Sequence, residues 1–323
     1  MMGAMLAHET WFTNARPPFD WGFALEPPTL ALIGLAVFAA LAWRFVGHRV
    51  PRPELPFLTP LGRLSPWVPR LLAIHAGVSL LAQAARQTYL VPALALPATP
   101  FGSALAIAEG LLGVWLITGF RIRAAAIAVV IAGPLGMLHY GVAPILERMD
   151  LLGIALFLVI LQPGPDRFGA ASTDPIPVAS ATLSLRALVG GALIVLAFTE
   201  KLINPQLALA FLHRYPAFNL ARTLGLEMSD LMFIRVAGAI ELLFGLLILS
   251  GTMPQLVVIA AGIPFNATLF FLGAEELIGH LPVYGAMLAL LIYGSSRELA
   301  PVEDLLPPVR SRLEHREIAP APT

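Results

Sequence analysis

Two glutamates stand inside apolar runs of this chain. Glu109 lies in ALAIAEGLLGVWLITG and Glu241 in VAGAIELLFGLLILSG. Each opens the frame E-x3-G-x5-G. Gly113 and Gly119 follow the first, Gly245 and Gly251 follow the second, and the offset is a constant 132 residues. A carboxyl group in hydrocarbon is costly, so its presence there points to an ion pair, a proton relay or a ligand site.

The second frame has company. Glu200, Lys201 and Asn204 end the preceding apolar run, Arg235 lies upstream of Glu241, Asn266 lies in the next run, and Glu275, Glu276 and His280 lead into the last. Glu200 and Asn204 are four residues apart, as are Glu276 and His280, so each pair shares a helix face. At 1.5 Å per residue these groups fall about 15–21 Å from one end of their four helices, in a single layer. Arg235 stands about 9 Å beyond Glu241 and is expected to pair with Glu200 or Glu276. A buried ion-pair network that locks the helices is one reading of this layer. A substrate or proton site is the other. Carboxylates outnumber cations here, and a surplus carboxyl group can trade a proton. Proton handling is therefore expected of Glu241, Glu200 and His280. Ligand contact is expected of Lys201, Asn204, Arg235, Asn266 and Glu276. The first frame is poorer. Glu109 has Gln83, His139 and Arg148 in its neighbourhood, but Pro134 stands where the second frame has Asn266, and Ala84 where it has Glu200. It reads as a scaffolding copy. No metal site is expected. Haem is not expected either, because His75 and His139 differ in depth, at about 8 and about 24 Å from the same side.

The elements that carry these residues are membrane helices. The chain has 323 residues, 58% hydrophobic and 12% charged, with mean hydropathy +0.80. Soluble domains carry roughly twice that charged share. Net charge is zero, and no basic patch suggests nucleic acid. Absence of cysteine excludes disulfides, thiolate metal sites and thiol-based quinone chemistry. Of 20 basic residues only Lys201 is lysine. No cleavable signal peptide is expected, since the first 26 residues lack both an apolar stretch and a basic start.

Hydropathy predicts an all-α polytopic membrane protein with about nine spans, at 28–46, 70–88, 101–119, 123–142, 147–162, 186–203, 231–250, 254–273 and 280–294. Arginines gather on one side, in 47–70, at Arg121 and Arg123, at Arg167 and Arg186, and in the tail at Arg297, Arg310, Arg312 and Arg316. Fewer lie opposite (Arg16, Arg86, Arg148, Arg214, Arg222). The positive-inside rule then places the N-terminus outside and the C-terminus in the cytoplasm of a bacterial-type inner membrane. Gly141 and Gly153 recur as Gly273 and Gly285 at the same offset of 132. Arg70 matches Arg186 at a smaller one. Four spans per copy is an even number, so the copies are parallel repeats. The expected organisation is an external N-terminus and leading helix (1–46), a proline-rich linker (47–69), repeat 1 (70–162), a second linker (163–185), repeat 2 (186–294) and a tail (295–323).

The second copy, with Arg186 opening it, then AFTEKLINP, GAIELLFGLLILSG and GHLPVYG, resembles the DoxX-like family of four-helix membrane proteins. Residues 70–162, with RLLAIHAG and AIAEGLLGVWLITGFRIRAA, resemble a diverged second unit. The family includes the membrane subunit of thiosulfate:quinone oxidoreductase and members that assemble with soluble oxidative-stress and sulfur-transfer enzymes. The resemblance therefore implies a quinone as the bound cofactor and a soluble redox or sulfur-transfer enzyme as partner, beside the lipid bilayer. It assigns no catalytic residue. Two other functions stay open: a small-solute or proton-coupled transporter, and a membrane scaffold without chemistry.

Overall fold

The computed structural model describes residues 12, 15, 17–162 and 170–301. His8, Glu9, Trp11, Arg16, Arg167 and the tail arginines Arg310, Arg312 and Arg316 lie outside the described residues. The described chain is all-helical, without a strand. It runs α1 (Trp21–Leu25), α2 (Pro27–Gly47), α3 (Val68–Ala85), α4 (Pro100–Thr118), α5 (Ile122–Tyr140), α6 (Val142–Leu146), α7 (Met149–Ile160), α8 (Pro175–Leu196), α9 (Pro205–Arg214), α10 (Leu220–Thr223), α11 (Asp230–Ser250), α12 (Pro254–Leu272) and α13 (Ala274–Ser295).

Among the described residues, eight helices are long and apolar enough to cross a membrane. The segment 147–162 is not among them. Its helix α7 has twelve residues, about 18 Å against a hydrocarbon core of about 30 Å. It is nevertheless apolar and mostly buried, and it packs between α5 and α8.

Both expected linkers are more structured than their prolines suggest. Residues 56–67 form a 3₁₀ run that continues into α3, and Gly62 lies so close to the end of α13 that a Cβ there would stand 2.7 Å from Ser296 Cα. Just before it, Glu54 Oε1 accepts from the Gln255 and Leu256 amides at 2.6 and 3.3 Å, capping α12. Trp43 Nε1 donates to Thr252 O at 2.9 Å and Arg52 to Gly251 O at 3.3 Å, so this strap closes the α11–α12 turn. The second linker ends early. Asp174 accepts from the Ile176 amide at 3.1 Å, and α8 starts at Pro175, the position where a missing N–H costs nothing. Arg186 is consequently buried mid-helix instead of marking a membrane flank. Where hydropathy alone shows a loop, 204–230 contains α9 and α10.

Glycine sets the helix spacing. A Cβ on Gly77 would stand 2.6 Å from Gly113 O, and one on Gly190 would stand 2.6 Å from Gly245 O. Backbone therefore rests on backbone between α3 and α4 and again between α8 and α11, as small residues allow in lipid. Gly153 of α7 lies against Leu188 of α8, while Gly285 of α13 lies against His75 of α3. The leading helix α2 lies on α11. Its Glu26 pairs with Arg235, and Ala36 packs with Ala197, Leu202 and Leu242.

Candidate functional site

The site begins with the way α8 ends. Asn204 precedes Pro205, and a residue before proline is pushed out of the α region. The chain widens into a π-turn over Ala197–Leu202 before it breaks. Such wide turns occur at functional positions. This one delivers Glu200 and Lys201 to α11, where Gly238 clears the way: a Cβ there would meet Leu202 Cδ2 at 2.8 Å and Lys201 Cβ at 3.1 Å. Lys201 Nζ then lies 3.0 Å from Glu200 Oε2 and 3.0 Å from Glu241 Oε2. The only lysine of the chain is clasped by two intramembrane glutamates.

On α13, one turn joins Glu276 to His280, with Oε1 and Nδ1 3.3 Å apart and the Phe265 ring edge-on to the imidazole. Pro282 lacks the N–H that would bond Ile278 O, and the Ser79 hydroxyl donates to that carbonyl at 3.3 Å. Next along, Gly279 O accepts from Arg148 Nη1 at 2.9 Å. Arg148 also lies 3.3 Å from Asp150, both side chains being buried. The proline on α13 thus marks where α3 and α7 attach.

These groups enclose a cavity of about 280 Å³. Phe211, Phe218, Phe233, Phe244 and Phe265 supply much of its apolar wall. Five carboxyl groups line it (Glu147, Asp150, Glu200, Glu241, Glu276) against Arg148, Lys201 and His280. Charge in a low-dielectric site must be paired or neutralised. Arg148 pairs with Asp150, Lys201 with Glu200 and Glu241, and His280 with Glu276. The cavity can therefore hold a small polar head, donate hydrogen bonds to it and exchange protons with it. Among the described residues no group of three or more His, Asp or Glu is arranged to hold a metal ion.

Of the eight residues expected at the site, five line the cavity: Glu200, Lys201, Glu241, Glu276 and His280. Three do not. Asn266 turns back to its own helix, donating to Gly262 O at 2.6 Å. Asn204 is buried at the helix break. Arg235 pairs with neither Glu200 nor Glu276. It reaches away from the cavity to Glu26 and to Thr29 Oγ1 at 3.1 Å, over the Phe23 ring. The expected partner on α8 or α13 is replaced by Glu26, the N-cap residue of α2. Glu147, Arg148 and Asp150 were not expected here. The signal was present, since Arg148 lies 132 residues before His280 and Asp150 opens a strongly apolar helix.

Glu109 meets different company. Its Oε1 accepts from the Leu90 amide at 3.0 Å. Leu90 sits in a tight hairpin, with left-handed φ of 59° and the reciprocal bonds Tyr89 N–Leu94 O and Leu96 N–Gln87 O, each 2.8 Å. The Tyr89 hydroxyl donates to Ala132 O at 2.7 Å, and burial together with the Glu109 charge pushes that phenol up to about 12. Val91, the next residue, forms part of the cavity wall. His75 bonds the Leu71 carbonyl, and His139 lies edge-on to Tyr140.

Fold and cavity define a class: a multi-pass helical membrane protein with a charged, aromatic-walled cavity between its helices. Comparisons with family models, with curated proteins and with solved structures give no match.

Proposed function

We propose that this chain is a DoxX-like membrane protein whose cavity binds the head of a lipid-soluble, hydrogen-bond-accepting molecule of the quinone class. The observation that carries this reading is Lys201 held between Glu200 and Glu241 beside the Glu276–His280 pair, at the charged end of a phenylalanine-walled cavity. Reduction of a quinone takes two electrons and two protons. A soluble redox or sulfur-transfer partner supplies the electrons, and the carboxyl and imidazole groups pass the protons. The order of chemistry is acid–base, which suits groups poised in a dry site.

The architecture that goes with this reading is a leading helix and two parallel four-helix units, nine membrane segments in all if α7 is counted. Support comes from the glycine contact made twice, Gly77 on Gly113 and Gly190 on Gly245, and from the reciprocal seats of Gly153 on α8 and Gly285 on α3. The first helices then correspond at an offset of 113, and Arg186 is no longer the counterpart of Arg70. The units become 68–160 and 175–295, in an inner membrane with the C-terminus cytoplasmic.

The test is extraction and turnover. Protein purified in nanodiscs should carry a lipid quinone, and Glu241→Gln should slow quinol turnover in native membranes. Protein free of quinone, together with unchanged turnover in that variant, defeats the reading. A loss of thermal stability and nothing else would make the ion pairs structural glue.

A proton-coupled transporter is favoured by one observation, the π-turn and broken backbone at 197–204 beside the cavity. Interrupted helices at charged midplane sites are a transporter signature. Proteoliposome uptake that ignores a proton gradient across candidate solutes counts against it.

A further inference from the structure

The cavity is not equally closed on all sides. Its lining residues on α7, α9 and α13 are buried: Arg148, Asp150, Phe211, Glu276 and His280 among them. Among the described lining residues only Ile240 and Pro264 are exposed, Ile240 by 45%. They lie on two helices that follow one another in the chain. Ile240 is on α11 and Pro264 on α12, two antiparallel helices joined by the short turn 251–253. Each lies ten or eleven residues from that turn, so each stands about 15 Å from it. That is half the thickness of a hydrocarbon core of about 30 Å.

The seam is also the loosest in its neighbourhood. α8 lies backbone to backbone on α11 through Gly190 and Gly245. On α12, by contrast, a Cβ on Gly262 would first meet Met287 of α13 at 3.7 Å and Asn266 of α12 itself at 3.8 Å, not α11. Pro264 removes the N–H that would bond Ala260 O and so weakens the helix at the same level. On the same cavity wall, the Lys201 and Glu241 side chains keep 18% and 21% of their surface accessible. Incompletely covered charges at membrane depth are unfavourable. A molecule with a polar head on Lys201 and Glu241 and an apolar tail in the seam would cover them.

We infer that the cavity opens sideways, between Ile240 and Pro264 at the bilayer midplane, and receives its ligand from the lipid phase with the tail left in the seam. The inference rests on the cavity being a binding site, and it adds the route and the ligand's shape: a lipid-soluble molecule with a head and a long apolar tail, not a solute from water.

The absence of cysteine makes the mouth directly testable. An Ile240→Cys variant carrying a bimane label is placed in phosphatidylcholine nanodiscs. Nitroxide at mid-acyl chain should quench it more strongly than headgroup nitroxide or aqueous iodide. The reverse order overturns the inference whether or not a ligand binds. A decyl-tailed benzoquinone is then the probe for rates. Ile240→Trp should slow both association and dissociation by about tenfold or more while affinity changes little. Leu224→Trp, on the exposed turn after α10 and outside the cavity lining, should leave both rates unchanged. Slowing by Leu224→Trp alone overturns the sideways route. A wild-type protein that binds no probe defeats the quinone reading, and the quenching order still decides the mouth.

Discussion

Glu109 and Glu241 occupy the same frame and do different work. Glu241 pairs directly with a lysine in the wall of a cavity. Glu109 faces the Leu90 amide of a hairpin that packs Tyr89, Leu90, Val91 and Leu94 into the protein. On the proposed duplication, the stretch that forms the π-turn with Glu200 and Lys201 in one half forms the end of α3 and the start of the hairpin in the other. One half sets its glutamate against Lys201 in the cavity wall. The other uses it to hold a plug, and through Val91 the plug walls the first half's side of the same cavity. A shared frame is thus evidence for shared packing, while the partner of each glutamate decides its chemistry.

The sharpest way to break this contrast is at Lys201. Lys201→Met strands Glu200 and Glu241 without their shared cation. Removing one partner of a buried pair costs about 3–5 kcal/mol. Thermal unfolding in nanodiscs should show that loss, and Lys201→Met combined with Glu241→Gln should recover part of it. Near-wild-type stability for the single variant would mean that the two glutamates do not depend on Lys201.

Packing should not follow the contrast. Gly113→Ala and Gly245→Ala each force a methyl toward a backbone oxygen, at 2.6 and 2.8 Å. Overpacking of this kind costs about 1–3 kcal/mol, and the two variants should lose similar amounts by thermal unfolding. A large difference between them would weaken the case that the halves are copies.

The plug is tested at its carboxyl group. Glu109→Leu leaves the Leu90 amide unpaired inside the protein, a cost of about 1–3 kcal/mol. Glu109→Gln keeps a side-chain oxygen at the same reach and should rescue it. Hydrogen exchange at the Leu90 to Leu94 amides should rise in the leucine variant and stay low in the glutamine one. Equal exchange in both would remove Glu109 from its role in holding the hairpin.

Much of this was legible in the chain. Apolar runs gave six of the eight long helices to within a few residues at most ends, because burial in lipid leaves little freedom in where a helix lies. α13 starts six residues before the expected 280, so Glu275 and Glu276 lie inside it, and α8 starts eleven residues before the expected 186, because alternating small and apolar residues of 175–185 are as compatible with a helix as with a linker. Five of the eight residues expected at the site line one cavity. Partners were harder to read. Arg235 meets Glu26 and Asn266 bonds Gly262 O of its own helix, and spacing along one helix does not say which neighbour a side chain will reach. The π-turn could not be read from Glu200 and Lys201 themselves, and it is what brings both to α11. Arg148 and Asp150 carried a signal in their spacing and setting, but their contact with α13 is a tertiary one that no single helix records.

Arg235 provides the finest test of the contrast between cavity and rim. It was expected to pair with Glu200 or Glu276 and stands instead at the seam with the leading helix, paired to a Glu26 side chain that is 47% exposed. An ion pair so open to solvent is worth about 0–1 kcal/mol. Arg235→Gln should therefore shift thermal unfolding only slightly, and the shift should shrink further at high salt, where exposed charges are screened. Affinity for the benzoquinone probe should not change, because the guanidinium points away from Lys201 and Glu241. A loss of binding comparable to that of Lys201→Met would instead return Arg235 to the layer around the cavity. It would also require α11 to turn about its axis, carrying Glu241 away from the lysine that distinguishes it from Glu109.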